Sequence, residues 1–190
     1  MSKVGVLAIQ GDVREHLDLL RGLDAAAVPV KTSEDLETVD ALVIPGGEST
    51  TMGFLLDEHG MIEPLRKRIE DGLPVLGTCA GAILLAKTVV GDGDKEWPKI
   101  GVLDAVVHRN AYGRQVDSFE DDADVKGVGI MHAVFIRAPV IESVGPDVEV
   151  LATHRDGPIV VREGNMIAAT FHPELSGESG LHRLLIDVDP

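Results

Sequence analysis

The composition of this chain indicates one globular unit with an acidic surface. It has 190 residues, of which 44% are hydrophobic and 21 are glycine, so it is long enough to bury one core. The formal net charge of -15 would repel nucleic acid and anionic membranes, and no apolar stretch has membrane-spanning length. The single cysteine excludes an intramolecular disulfide. We therefore expect one cytoplasmic domain over residues 1–190, with neither nucleic acid nor membrane as a partner.

The first half of the chain alternates short apolar runs with helical patterns. Each apolar run has the length of a buried strand, and each intervening segment has helical spacing of its apolar residues. Strands are predicted at 4–9, 28–31, 41–45 and 73–77, and helices at about 13–24, 49–59, 62–71 and 80–88. This rhythm predicts a parallel sheet covered by helices on both faces.

The second half of the chain is richer in strands than in helices. Strands are predicted at 102–108, 115–120, 132–138, 148–153, 158–163 and 166–171, followed by a short helix near 180–188. They are best explained as an antiparallel extension of the same sheet, because no linker rich in proline or serine separates the halves. The predicted fold class is therefore α/β, with three layers, a mostly parallel central sheet, and antiparallel strands in the second half.

The loop GTCAG, residues 77–81, stands between a predicted strand and a predicted helix. Active sites of open parallel sheets lie at the carboxyl ends of the strands, where such loops begin. Gly77 and Gly81 allow a tight turn that would present Cys79 at its tip, as in a nucleophile elbow. The N–H of Ala80 would then point toward an oxyanion. A buried structural cysteine is the alternative, and this pentapeptide alone does not decide between them.

The loop FHPELS, residues 171–176, follows another predicted strand and offers a base for the cysteine. Pro173 disfavours the helical region at His172, so we expect an extended segment with the side chains of His172 and Glu174 on one side. An imidazole and an orienting carboxylate are what a cysteine nucleophile needs. The alternative is a surface turn with a solvated histidine. The other histidines are predicted to be solvated and have no metal-ligand spacing, so no metal is expected; they are His16, His59, His108, His132, His154 and His182.

The loop IPGGEST, residues 44–50, also follows a predicted strand. Its two glycines let the backbone approach a ligand and present N–H groups, while Glu48 and Ser49 add polar contacts. A capped helix start is the alternative, with Ser49 or Thr50 as the N-cap, and both interpretations can hold together.

The loop IQGDVREH, residues 9–16, is the last of the four loops that follow predicted strands. Asp12 and Glu15 have the spacing of a capping box, which is the favoured explanation for these two residues. Gln10 and Gly11 remain candidates for a site or an interface.

Together these loops resemble class I glutamine amidotransferases, which release ammonia from glutamine. The segments GVLAIQGDVREH, IPGGESTTM, GTCAGAILLAK, RNAYGRQVDSFE, VFIRAP and FHPEL, between residues 4 and 176, resemble the glutaminase subunit of pyridoxal phosphate synthase. The resemblance implies a flavodoxin-like fold of the class I amidotransferase type. The chain departs from the family pattern at His108, where an acidic residue is expected before Arg109.

The resemblance also implies roles for individual residues. Cys79 would be the nucleophile, His172 the general base and acid, and Glu174 the residue that orients His172. The oxyanion would be held by the N–H groups of Gly47 and Ala80, and no cofactor is implied. The family pattern places glutamine contacts at Gly47, Glu48, Ser49, Arg109, Ile136 and Arg137. A surface ion pair is the alternative for Arg137.

The implied partner is a separate synthase subunit that receives the ammonia, in a complex of up to twelve copies of each subunit. Three alternatives stay open at this point. A glutaminase for histidine or nucleotide synthesis would share the triad and fold. A peptidase or chaperone-like relative would carry the elbow without His-x-Glu, and a regulatory module would lack a usable triad.

Overall fold

The computed structural model describes residues 2–91, 96–109, 118–155 and 157–187. The first part of the predicted strand at 115–120 lies outside these ranges. So do residues 110–117 of the segment RNAYGRQVDSFE and residues 92–95 of the acidic stretch before Trp97.

The predicted alternation of strands and helices is confirmed in the first half, and strands dominate the second half. The strands are β1 Lys3–Leu7, β2 Ala26–Val30, β3 Ala41–Ile44, β4 Val75–Thr78, β5 Ala86–Val90, β6 Leu103–His108, β7 Phe119–Val125, β8 Gly129–Phe135, β9 Val140–Val144, β10 Glu149–His154, β11 Gly157–Glu163 and β12 Met166–Ala169. The helices are α1 Val13–Arg21, α2 Ser33–Leu36, α3 Ser49–Glu58, α4 Ile62–Glu70, α5 Ala80–Leu85, α6 Pro173–Ser176 and α7 Gly180–Ile186.

The central sheet has the strand order β10-β11-β12-β4-β3-β1-β2 in the described part of the chain. The run from β12 to β2 is parallel throughout, whereas β10 and β11 are antiparallel additions at the β12 edge. This is the predicted mixture of parallel and antiparallel strands. Because parallel strands point the same way, the loops after β1, β3, β4 and β12 meet at one edge of the sheet.

Both faces of the central sheet are buried, which makes three layers. Along β3, Leu42 and Ile44 belong to one hydrophobic cluster, while Ala41 and Val43 belong to the other. Successive side chains of a strand point to opposite faces, so a strand covered on both sides is apolar throughout. One cluster includes residues of α3, α4 and α5, and the other includes residues of α1 and α7.

The second half departs from the prediction of a single extension of the central sheet. β5, β6 and β9 make a separate three-stranded sheet, and β7 pairs with β8 in a hairpin. The three-stranded sheet contributes Leu103, Val107 and Ile141 to one cluster, and the hairpin contributes Met131 and Phe135 to the other. Each small sheet therefore covers one face of the central sheet in place of a helix.

Two helical predictions also need correction. The helix predicted over 80–88 ends at Leu85, and Ala86 is already extended with φ -64° and ψ 135°. The following Thr88, Val89 and Val90 are β-branched, and they pair with β6 as a strand. The short helix α2 is absent from the predicted elements, although a capping box between Thr32 and Asp35 begins it. In the described ranges, every helix is too short or too polar to cross a membrane.

Candidate active site

A pocket of about 450 Å³ opens at the edge where the loops after β1, β3, β4 and β12 meet. It brings together residues from distant parts of the chain, and its walls include every predicted site residue except Glu174 and the candidate Gly11. Its walls are Gln10, Asp12, Gly47, Glu48, Ser49, Cys79, Ala80, Ile83, Arg109, Ile136, Arg137, His172 and Leu175. Glu174 lies behind His172, where its side chain is fully buried.

Cys79 lies on the predicted turn between strand and helix, in a backbone conformation that side chains rarely adopt. Its φ is 48° and its ψ is -102°, and α5 begins at the next residue. A Cβ at Gly81 would lie 2.1 Å from the Ile44 carbonyl oxygen, and one at Gly77 would lie 2.7 Å from the Gly81 backbone. Both glycines are therefore required for the close approach of strand and helix. Cys79 as a whole residue is 7% exposed, and it lines the pocket.

His172 immediately precedes the short helix α6, whereas the sequence predicted an extended segment through Glu174. Pro173 occupies the first helical position, where its missing N–H is not needed. The first turn then carries Glu174 back toward the ring, so that Nδ1 of His172 lies 2.7 Å from Oε1 of Glu174. The predicted contact exists, but helix geometry produces it.

A second carboxylate also faces the His172 ring. Oδ2 of Asp12 lies 3.4 Å from Nδ1 of His172. The capping box predicted for Asp12 and Glu15 is wrong, because the side chain of Asp12 makes no cap hydrogen bond. In the sequence, the spacing of Asp12 and Glu15 indicated only a helix start, and the fold is what brings the loop after β1 to the loop after β12.

The surroundings of His172 favour its protonated form. Burial is the largest influence and would lower its pKa, but hydrogen bonds with Asp12, Cys79 and Glu174 and the charge of Cys79 together raise that pKa to about 12. The ring is therefore an imidazolium at neutral pH. Because Nδ1 faces the two carboxylates, Nε2 is left for the Cys79 side. The arrangement suits a thiolate and imidazolium pair.

Gly46 packs directly against the His172 ring. A Cβ on Gly46 would lie 2.3 Å from Cε1 and 2.9 Å from Nδ1 of His172. The carbonyl oxygen of Gly46 accepts a hydrogen bond from the Asp12 N–H at 3.1 Å. The loop after β3 thus contacts the imidazole of His172 and limits its position, a role that the sequence did not indicate.

Glu48 caps helix α3, where Ser49 or Thr50 was predicted. Its carboxylate accepts hydrogen bonds from the N–H groups of Thr50 at 3.1 Å and Thr51 at 2.7 Å. Its own N–H donates to Oε1 of Gln10 at 2.9 Å. Gln10, a candidate from the sequence, therefore joins the loops after β1 and β3. Ser49 is buried beside Glu48 at the pocket wall.

Two arginines line the pocket in different ways. The Arg109 guanidinium lies 3.7 Å from Oε1 of Glu48 and 5.1 Å from the centre of the Trp97 ring. Arg137 is exposed at the rim with a left-handed φ of 44°. Next to it, the Ile136 carbonyl oxygen lies 4.0 Å from Sγ of Cys79. Outside the pocket lining, His108 pairs with Glu142 at 2.7 Å.

The prediction that His16 and His182 are solvated is wrong, because both are fully buried. Nδ1 of His16 lies 2.8 Å from Nε2 of His182. Nε2 of His16 lies 3.2 Å from Oγ1 of Thr78 and 3.4 Å from Oε2 of Glu174. The two histidines extend the buried polar groups behind His172. Nothing in the sequence brings residues 16, 78, 174 and 182 together.

We expect these two histidines to make stability depend on pH between about 4 and 6.5. Burial lowers the pKa of His182 to about 4, and burial followed by the charges of His182 and His172 lowers that of His16. The unfolded chain binds these protons below about pH 6.5, so stability falls as pH drops, by up to about 1.4 kcal/mol per pH unit for each histidine. The folded protein holds the His172 proton more tightly than the unfolded chain does, so this residue makes stability decline as pH rises above about 6.5. Urea unfolding at pH 5.0 and 7.0 measures the difference.

The control for this pH effect is His182→Leu, which removes one buried titrating ring. Its loss of stability between pH 7.0 and 5.0 should be smaller than that of the wild type. An equal loss in both proteins would contradict the assignment of the effect to His182.

Asp12, His172 and Glu174 also place three metal-ligand atoms within 4.8 Å of one another, in the described part of the chain. The same atoms already form the contacts that hold the His172 ring. The absence of a metal remains a prediction.

The chain matches the model of the SNO glutamine amidotransferase family over residues 6–188. It is 54% identical to the pyridoxal 5'-phosphate synthase subunit PdxT of Mycolicibacterium vanbaalenii, covering 97% of this chain and 96% of that protein. The PdxT subunit of Thermus thermophilus is 52% identical, with the same coverage.

The fold also matches solved structures. A crystal structure of a glutamine amidotransferase aligns with a TM-score of 0.91 and 53% identity, covering 97% of each chain. The structure of PurLQS from Thermotoga maritima aligns with a TM-score of 0.68 at 17% identity, covering 98% of this chain and 99% of that one. This second likeness concerns the fold alone.

Proposed function

The chain belongs to the SNO glutamine amidotransferase family, and from this premise we propose that it is the glutaminase subunit of a pyridoxal phosphate synthase. It hydrolyses L-glutamine to L-glutamate and ammonia, and the ammonia passes to the synthase subunit. The observation that carries the chemistry is the meeting of Cys79 and His172 in one pocket with Glu174 directly behind the imidazole, the thiol being on a strained turn and the imidazole held as a cation. In this proposal residues 1–190 act as one cytoplasmic domain.

The first half of the reaction forms a glutamyl thioester. The Cys79 thiolate attacks the side-chain amide carbon of glutamine, and the carbonyl oxygen becomes an oxyanion. Gly47 and Ala80 both line the pocket, and in this proposal their N–H groups stabilise that charge. The carbon–nitrogen bond then breaks as the His172 imidazolium gives its proton to the departing nitrogen, and ammonia leaves.

The second half of the reaction releases glutamate. The neutral His172 ring takes a proton from a water molecule as the water oxygen attacks the thioester carbon. The carbon–sulfur bond breaks, and the Cys79 thiolate and the His172 imidazolium are restored. Glu174 keeps Nδ1 of His172 protonated and directed toward itself throughout, through the 2.7 Å contact.

Glutamine also needs partners for its α-amino and α-carboxylate groups. Glu48 carries a negative charge at the pocket wall, because its hydrogen bonds to Thr50 and Thr51 outweigh burial and lower its pKa. Arg109 and Arg137 supply positive charge on the same walls. The backbone of Ile136 and the Gly47–Ser49 loop complete the proposed glutamine contacts.

We expect Arg137→Ala to raise KM for glutamine by roughly 10- to 100-fold and to change kcat by less than about threefold. An arginine that pairs with the substrate carboxylate acts equally in the ground state and the transition state, so its loss appears in KM. Steady-state kinetics with the synthase subunit present measures both constants. The control is Arg155→Ala, which removes an arginine that is exposed and paired with Asp121. A fall in kcat without a change in KM would exclude this role for Arg137.

The synthase partner is expected to control the reaction through the Gly46–Gly47 peptide. Its carbonyl group accepts a hydrogen bond from the Asp12 N–H at 3.1 Å, and its N–H belongs to Gly47. Two consecutive glycines allow this peptide to turn, so that partner docking directs the Gly47 N–H toward the oxyanion. Free chains would then waste little glutamine.

The test of the proposed function is the rate of glutamine hydrolysis with and without the synthase subunit. We expect the complex to release glutamate at least ten times faster than the isolated chain, and sedimentation to detect a complex of up to twelve copies of each subunit. Equal rates would contradict control by the partner. No hydrolysis in either sample would contradict the glutaminase assignment itself.

A further inference from the structure

The carboxylate of Glu174 is satisfied on one side only. Its side chain is 0% exposed, and Oε1 faces Nδ1 of His172 at 2.7 Å. Oε2 is buried and makes no hydrogen bond of normal geometry in the described part of the chain. A buried carboxylate oxygen without a donor is costly, so the groups around Oε2 determine how firmly Glu174 is held. Nε2 of His16 approaches it to 3.4 Å.

The environment of His16 selects one tautomer of its ring. The negative charge on Oε2 of Glu174 favours a hydrogen on Nε2, because a lone pair there would face another lone pair. Nδ1 then accepts from the Nε2–H of His182, at a distance of 2.8 Å. Thr78 shares the Nε2 hydrogen through Oγ1 at 3.2 Å. His182 and Thr78 therefore hold the His16 ring so that its N–H is directed between Thr78 and Glu174.

We propose that His16 is a positioning residue that acts through Glu174, with its Nε2–H directed at Oε2 while Oε1 holds the catalytic imidazole. This inference rests on the proposed function and adds a residue from α1 to the same site. His16 is a donor and not an acid, because burial followed by the charges of His182 and His172 lowers its pKa and keeps the ring neutral.

The role of His16 is greatest when His172 has given its proton to ammonia. At that stage Glu174 has lost its cationic neighbour and remains a buried carboxylate. The neutral His172 ring still donates its Nδ1–H to Oε1, and the His16 N–H is then the second donor, which keeps Oε2 and the Glu174 side chain in place, ready for His172 to take the proton from water. A looser Glu174 would misdirect the imidazole and slow turnover without changing how glutamine binds.

The discriminating experiment compares His16→Gln with His16→Asn in the complex with the synthase subunit. The amide of glutamine extends to the position of Nε2 and can still donate toward Glu174, whereas that of asparagine ends near the position of Nδ1 and faces His182. We expect His16→Asn to lower kcat by roughly 10- to 100-fold, as for loss of a hydrogen bond to a charged group. His16→Gln should stay within about fivefold of wild type, and KM should stay within about threefold in both.

Alkylation of the thiol by iodoacetamide supplies a readout that needs no glutamine. Cys79 is the single cysteine of the chain, so the mass of the labelled protein reports this site alone. A loosened Glu174 holds the His172 ring less firmly beside the thiol, so the ring activates the thiol less well. We expect alkylation at pH 7 to be at least threefold slower in His16→Asn than in wild type, with His16→Gln between them.

Leu65→Ala serves as the control for a general loss of stability. Leu65 is a fully buried residue of α4, outside the pocket walls, and its truncation removes core contacts alone. We expect it to lower the midpoint of thermal unfolding and to leave kcat within about twofold of wild type. At a similar decrease in the unfolding midpoint, kcat should fall further in His16→Asn than in Leu65→Ala.

Several results would overturn the role of His16. A wild-type kcat together with a wild-type alkylation rate in His16→Asn would do so. Equal losses of kcat in His16→Asn and His16→Gln would also do so, because they would mean that His16 contributes packing and no directed hydrogen bond. The ¹⁵N shifts of the His16 ring in the full-length wild type test the tautomer without any variant, and a hydrogen on Nδ1 in place of Nε2 would contradict the proposal. Failure of the wild-type complex to hydrolyse glutamine would instead reject the proposed function, while the alkylation series would still test His16.

Discussion

Replacing Cys79 with alanine is expected to lower the rate of glutamine hydrolysis by about 10,000-fold or more. No other thiol is present in the chain to take over the attack on the amide carbon. Removal of the nucleophile from a comparable triad costs a factor of this size, because base and orienting residue have no function without it. Glutamate release by the complex with the synthase subunit, followed under saturating glutamine, measures the effect.

The Cys79→Ala protein should still fold and still bind the synthase subunit. Cys79 donates its backbone N–H to the carbonyl oxygen of Ala169, the last residue of β12, at 2.8 Å, and this bond does not depend on the thiol. Thermal unfolding and co-sedimentation with the synthase check both properties. A folded, partner-bound variant that hydrolyses glutamine at the wild-type rate would reject the thioester mechanism.

Replacing Gly46 with alanine is expected to lower kcat/KM by about 100-fold or more. The added Cβ would stand 2.3 Å from Cε1 of His172 and 3.0 Å from Oδ2 of Asp12, so the imidazole must move. A displacement of about 1 Å in a catalytic group can cost a factor of about 100. The φ of Gly46 is not left-handed, so the effect comes from the clash with the ring.

The matched control for Gly46→Ala is Gly22→Ala at the end of α1. Gly22 has φ -64° and ψ -14°, and an added Cβ there would meet only backbone carbonyl oxygens of α1 residues at 3.2 Å or more. We expect this variant to retain wild-type kinetics. Wild-type kinetics in Gly46→Ala as well would mean that the ring position is not critical. Circular dichroism and thermal unfolding of Gly46→Ala should show that it remains folded.

The two variants test different parts of the site. Cys79→Ala removes the reacting atom and leaves its surroundings in place. Gly46→Ala leaves the triad intact in composition and changes the position of one ring. An inactive Cys79→Ala together with a fully active Gly46→Ala would support Cys79 as the nucleophile. It would also show that contact with Gly46 does not determine the position of the His172 ring.

Local sequence predicts the order of strands and helices in the first half, apart from the short helix α2 and the strand β5. Each strand of the parallel sheet is a short apolar run, and both faces of that sheet are covered, so the hydrophobic pattern is unambiguous there. The turn at Cys79 was also predictable. Gly77 and Gly81 mark the turn because no other residue fits the approach of strand and helix.

Local sequence is a poor guide where a segment has two reasonable structures. The apolar run after Cys79 predicts a helix to residue 88, whereas the chain leaves the helix at Ala86 to pair with β6. Strand pairing depends on a partner that is distant along the chain, so it is absent from the local pattern. For the same reason, the pattern of the second half predicts one sheet, whereas its strands are divided among three.

Capping preferences are similarly misleading around the site. Asp12 and Ser49 have residue types and positions typical of helix starts, yet Asp12 faces His172 and Glu48 caps α3. A short polar side chain can bond its own backbone or a distant group, and tertiary packing decides which.

Local sequence patterns are therefore enough to predict the α/β fold class, the tight turn at Cys79, and the pairing of His172 with Glu174 two residues later. The environment that surrounds those groups depends on tertiary packing. Asp12, Gly46 and His16 reach the site from the first quarter of the chain, because parallel strands bring their following loops to one edge of the sheet. Such contacts depend on strand order, and strand order is a property of the whole packed chain.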